Sequence, residues 1–193
     1  MYALIENDQI TKYFSNPTGF TLNDIQYPAD IFTKWSTVEK EAIGIVEVVF
    51  DDSNKKDKKW YINTNQSFTL NNGVVTASYG IATPKAHEDT NEVDGEGVVI
   101  SGLKTELIKQ LKIDVANELA KTDWYITRKT EIATAIPSAI TTHRDLVRST
   151  QVSMEAQITD ASDTAALVTL HTFTTDANGI QSKPLGTLPT LEI

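Results

Sequence analysis

The stretch Thr122-Asp-Trp-Tyr-Ile-Thr-Arg-Lys-Thr-Glu-Ile-Ala-Thr-Ala-Ile-Pro-Ser-Ala-Ile-Thr-Thr-His-Arg-Asp-Leu-Val-Arg148 decides how the second half of the chain folds. It reads as the end of one helix, an aromatic elbow, a proline-set turn and the start of a second helix. Trp124 and Tyr125 are large amphipathic rings that bury well and use one polar atom each, which predicts packing anchors. Pro137 cannot continue a helix and biases Ile136 towards an extended conformation. Ser138 has no Glu or Gln three residues later, so no capping box forms, yet Pro137-Ser138 suits a helix entrance. Ile140, Leu146, Val147, Met154 and Ile158 then supply an apolar face for the second helix. On residue physics alone the stretch is a helical hairpin pinned by an aromatic pair.

Upstream, Leu103, Leu107, Leu111, Val115 and Leu119 recur every fourth residue, joined by Ile100 and Ile108. Each four-residue step turns about 40° further round a helix, so the stripe drifts instead of holding one seam. A long helix starting near Ser101 with so narrow a face needs partners, either the later helices or other copies of the chain. Downstream, Asp163 can cap a short third helix through Ala165, Ala166 and Leu167. Residues 173–193, with Gly179, Pro184, Gly186 and Pro189, show little periodicity and predict an extended tail lying on another surface.

The first 84 residues have a different texture. Residues 2–6 and 9–14 alternate around Asn7-Asp8, which predicts a β-hairpin. Pro28 introduces a short amphipathic helix with Ile31, Phe32 and Trp35 on one face. Strand-like runs follow at 45–50 and 60–63, separated by the solvated, mixed-charge loop 51–59. Two further strands, 66–70 and 74–83, flank Asn71-Asn72-Gly73, a strong hairpin signal. Residues 85–97 then turn acidic and predict a linker. The fold expected is α+β: a small antiparallel β-rich domain at 1–84, a linker at 85–97, a helical domain at 98–172 and a tail at 173–193.

The pattern Thr122-Asp123-Trp124-Tyr125, Arg128-Lys129, Glu131, Ile136-Pro137, Arg144 and Val147-Arg148 resembles a segment of tail-fibre-associated proteins of tailed bacteriophages. Residues 1–13 resemble the N-terminal hairpin of the same broad group, which includes tail fibre assembly chaperones. The resemblance implies a non-enzymatic virion structural protein, made in the host cytoplasm and placed in the tail. Its implied partners are other tail or fibre proteins and copies of itself, with a trimer favoured; the alternative is an assembly chaperone not retained in the virion. The residues implicated in such contacts are Leu103, Leu107, Leu111, Leu119, Trp124, Tyr125, Arg128 and Arg144.

Composition narrows the remaining classes. The net charge of −9 over 193 residues argues against nucleic-acid and anionic-membrane binding, both of which need a basic surface. No run approaches a transmembrane helix, so no membrane insertion is expected. The absence of cysteine removes disulfides and thiolate metal sites. His143-Arg144-Asp145-Leu146 matches the start of a protein-kinase catalytic loop, but Thr150 stands where a metal-binding asparagine is required and no glycine-rich loop exists. His87, His143 and His171 are too far apart in sequence for a helical pair of ligands. No catalytic residue, cofactor or metal centre is expected, although an oxygen-ligand calcium site stays open at this stage.

Overall fold

The computed structural model describes residues 1–90 and 99–191. It divides into two compact units, Met1–Thr83 and Pro84–Ile193. The five-stranded sheet lies in the first and the four longest helices in the second, giving an α+β chain.

The first unit contains β1 (Tyr2–Glu6), β2 (Gln9–Phe14), β3 (Phe20–Leu22), β4 (Ile25–Tyr27), α1 (Ile31–Lys34), α2 (Thr37–Glu41), β5 (Ile45–Asp51), β6 (Tyr61–Ile62), β7 (Gln66–Asn71) and β8 (Val74–Tyr79), with the two-residue β9 (Thr83–Pro84) at its border. Five of these strands form one sheet in the order β2-β1-β5-β8-β7. The tight turns are Asn7-Asp8, Asn23-Asp24 and Asn72-Gly73, all at positive φ, as two-residue hairpin loops require. The sheet is not purely antiparallel, because β5 and β8 run parallel. The chain passes β5 through the 52–65 connection, lays β7 at the edge, and returns β8 between them. That placement follows burial. Val75 and Ala77 of β8 are fully covered, whereas β7 alternates exposed with half-buried residues and suits an edge.

Period-two alternation sends the strands' apolar side chains to two faces. On one, Leu4, Phe14 and Ile45 pack with Phe20, Ile31 and Phe32. Phe14 stands 4.9 Å from Phe20 and 5.0 Å from Phe32, ring centre to ring centre. The other face carries Ala3, Val48, Val75 and Ala77, flanked by Phe68 and Leu70. Tyr13 of β2 and Phe68 of β7 belong to opposite edge strands, yet their rings are 4.4 Å apart. The sheet therefore curls until its edges meet through this pair.

The second unit holds α3 (Leu103–Ala120), α4 (Asp123–Ile132), α5 (Ser138–Asp160) and α6 (Thr164–His171), followed by the small hairpin of β10 (Thr174–Thr175) and β11 (Gln181–Ser182). α3 and α5 run antiparallel. Glu118 at the end of α3 approaches His143 at the start of α5, and Thr164, just beyond α5, donates to the carbonyl of Lys85, whose neighbour Ala86 accepts from the first N–H of α3. Leu111 and Val115 of the leucine ladder are buried, and Leu103, Leu107 and Leu119 are half-buried. The matching stripe of α5 is Ile140, His143, Arg144, Val147, Met154 and Ile158. Leu146, expected on that stripe, points outward instead: one residue before Val147, it lies about 100° round the helix.

Part of the expected linker has a structural task. The first backbone N–H groups of a helix lack partners within it. At α3, Ala86 and His87 carbonyls accept from Leu103 and Lys104, and the Asp89 carboxylate accepts from the Gly102 N–H. Residues 91–97 lie outside the described residues. Gly102 makes the close approach possible, since a Cβ there would stand 2.2 Å from the Glu88 carbonyl. Gly102→Ala is expected to destabilise this unit by about 1–3 kcal/mol through overpacking, read as a lowered urea midpoint.

The tail follows its own unit. Leu185 is buried, and its N–H donates to the Leu170 carbonyl. The Leu191 N–H bonds the Glu118 carboxylate. The surface beneath the predicted extended tail is thus the chain's own helical unit.

Candidate interaction surface

The quoted stretch resolves into an inner anchor and an outer face. Thr122 leaves helical geometry between α3 and α4, and its fully buried hydroxyl donates to the Leu119 carbonyl. Arg144 reaches across from α5. Its Nη1 donates to the Leu119 carbonyl at 2.8 Å, the Thr122 hydroxyl at 2.7 Å and the Asp123 carboxylate at 2.8 Å. The long stem brings Nη1 to a junction where its two N–H groups, one of them shared, serve a carbonyl, a hydroxyl and a carboxylate. Arg144, expected to make partner contacts, is instead the internal tie that holds α4 to the α3–α5 pair.

Behind this tie lies Glu118. It falls at helical spacing with Leu111 and Val115, so the apolar stripe carries a carboxylate inward. Lys121 bonds one carboxylate oxygen, and His143 Nε2 stands 3.2 Å from the other. That second approach is too skewed for a directed hydrogen bond, leaving both buried atoms without a well-aligned partner. The Lys121 hydrogen bond holds the Glu118 carboxyl below its ordinary range. Burial opposes this, and the Lys121 charge, the Leu191 N–H and His143 reinforce it. A depressed folded-state value means stability that is present above the ordinary glutamate range and lost as pH falls through the folded-state value. Acid unfolding of Glu118→Gln, followed by circular dichroism, should therefore show a shallower loss of stability below that range than the parent chain.

Facing outward, α4 buries none of its residues, and Ala133 ends it in the left-handed conformation. Trp124 is 51% exposed, which overturns its expected place as a core anchor. Asp123, one residue earlier, faces Arg144 of α5, and Trp124 lies about 100° further round the helix. Trp124 and Tyr125 ring centres are 3.8 Å apart, and the Arg128 guanidinium lies 4.7 Å from the Trp124 ring centre and 5.5 Å from that of Tyr125. Ile126 and Ile132 extend the same helix with further exposed apolar surface. Trp124, Tyr125 and Arg128, all singled out in the sequence, thus come together as one cluster of an exposed and two half-buried side chains, and the buried part of the leucine ladder is separate from it.

The remaining chemistry-bearing residues do not converge. His87 caps α3 through its carbonyl, His143 lies beside Glu118, and His171 Nδ1 is 2.8 Å from the Leu167 carbonyl. Asp145 is exposed beside Arg148 at 3.5 Å. Among the described residues no group of three His, Asp or Glu side chains gathers to hold a metal ion, and no helix is long and apolar enough to cross a membrane. The chain matches no protein-family model, no curated protein and no solved structure.

Proposed function

We propose that this chain is a non-enzymatic, tail-associated virion protein of a tailed bacteriophage, an adaptor that works by docking other tail or fibre proteins. The observation that supports this reading is α4. A helix that contributes nothing to a core, yet is fixed at its base by a buried arginine, presents a tryptophan, a tyrosine and an arginine to solvent. These residue types dominate the binding energy of protein interfaces. They also fall within the segment that resembles fibre-associated proteins. Exposed apolar residues on three successive helices, Ile113, Ile132 and Val152, leave surface for further copies of the chain, and the resemblance favours three.

Mass spectrometry of gradient-purified particles tests the placement. Presence at fixed stoichiometry supports a virion component, whereas production in infected cells with absence from particles supports the assembly chaperone. The docking role has its own test. Trp124→Ala is expected to change unfolding stability by less than about 1 kcal/mol, as for other exposed positions. The same change is expected to weaken partner binding by about 2 kcal/mol or more, measured by co-sedimentation with disassembled tail components. A large loss of melting temperature with binding intact would place the ring in a structural role.

A further inference from the structure

We propose that the α4 cluster receives a carboxylate side chain flanked by an apolar residue, on an acidic segment of a partner protein, with Arg128 as the charge-reading group. The inference rests on the docking role of α4 and names the chemistry of what docks there. The chain has three arginines. Arg144 is committed to three internal oxygens, and Arg148 lies near Asp145. Arg128 differs from both. No carboxylate or carbonyl among the described residues accepts a hydrogen bond from its guanidinium, and its Nε is buried without an acceptor. The side chain is nevertheless held, because the faces of Trp124 and Tyr125 lie beneath it. Stacking on π faces positions a guanidinium while leaving the in-plane N–H donors of its two terminal nitrogens free, and that pair matches a carboxylate.

Charge complementarity points the same way. α4 contains Asp123, Arg128, Lys129 and Glu131, and the Asp123 charge is taken up by Arg144. With Asp123 paired, Arg128, Lys129 and Glu131 leave the helix a single net positive charge outward, on a chain whose overall charge is −9. Overall charge is screened over about 10 Å, so the local charges select the occupant, and a partner segment that concentrates its carboxylates opposite Arg128 and Lys129 fits this patch and sets its own register. The half-exposed indole beside the guanidinium supplies a flat apolar platform for the neighbouring residue, and partner atoms above it would exclude water from the ion pair.

A random peptide library, selected on the full-length chain and counter-selected on Trp124→Ala, tests this. Survivors are expected to be enriched in Asp or Glu next to an apolar residue. Their affinity should fall about ten-fold or more on Arg128→Gln, and Arg128→Lys should recover only part, since an ammonium keeps the charge without the planar fork. Survivors that lack carboxylates, or bind Arg128→Gln as tightly as the parent, overturn the carboxylate assignment and leave α4 as an apolar docking face. No survivors after counter-selection would overturn the docking role itself, and this inference with it. Circular dichroism of each variant, matching the parent, ensures that the losses are read at the surface.

Discussion

Arg144→Met is expected to lower the stability of the helical unit by about 3 kcal/mol, the weight of two hydrogen bonds from a charged donor to buried acceptors. The Leu119 carbonyl and the Thr122 hydroxyl are the two that count. The third acceptor, Asp123, is largely exposed and can turn to water, so its contribution is discounted for screening. The hydroxyl of Thr122 still has the Leu119 carbonyl to donate to, but its own acceptor capacity and that of the carbonyl lose their charged donor. Methionine fills the stem's volume without offering an N–H, so the change isolates the polar term from packing. Arg144→Lys keeps the charge but is shorter, so its ammonium falls short of the point where Nη1 meets the three oxygens, and it is expected to recover less than half of the loss. Urea unfolding monitored by far-ultraviolet circular dichroism reads both, with the slope unchanged if only stability has moved. An Arg144→Met midpoint equal to that of the parent chain would mean that α4 is held by something other than this junction. A second consequence follows for binding: the variant should also lose partner affinity, because a detached α4 no longer presents its cluster at a fixed angle.

Much of the architecture was legible because local signals agreed with tertiary needs. Asn7-Asp8 and Asn72-Gly73 marked their hairpins by the positive φ they tolerate, and the four-residue ladder marked α3. Two further elements carry equally good signals. Asn23-Asp24 sits between Phe20-Thr-Leu22 and Ile25-Gln-Tyr27, the same hairpin grammar as at Asn7, and Ser36 with Glu39 forms a capping box that starts α2. The parallel pairing of β5 with β8 was beyond reach, since hairpin signals fix neighbours in sequence and not which strand of a hairpin turns inward. In the interaction region the right residues were visible, but their burial was inverted. Trp124 suggests a core by its size, whereas the neighbour that turns inward is Asp123, through a bond to Arg144, 21 residues further along the chain, that hairpin signals do not reveal. Glu118 was the opposite case. A carboxylate on the stripe of Leu111 and Val115 is a sequence signal for an inward charge, and the partners that accept it there, Lys121, His143 and Leu191, come from three parts of the chain.

Leu111→Asp is expected to abolish cooperative folding of the helical unit, the largest single effect anticipated for this chain. Removing a buried leucine costs about 2–5 kcal/mol in lost transfer and cavity terms. The aspartate then adds the penalty of burying a polar group with no acceptor or donor provided for it, several kcal/mol more if it stays ionised. The sum approaches the whole stability of a domain of this size. The sequence alone allowed a different outcome, in which the ladder joins copies of the chain and aspartate merely separates them. Exposure along α3 supports the first outcome. Leu111 and Val115 lie in the packed α3–α5 seam, while Ile113, two residues on, is 46% exposed. Ile113→Asp should accordingly leave the unfolding midpoint within about 0.5 kcal/mol of the parent. Sedimentation and circular dichroism on the pair settle which face does what. Loss of helix in Leu111→Asp with a folded Ile113→Asp assigns the ladder to the core, and any change of assembly size in Ile113→Asp assigns self-association to the outer face of α3. A Leu111→Asp chain that kept its helix content and only fell from oligomer to monomer would mean that the leucines face another copy, and that the α3–α5 seam is not where this unit is held together.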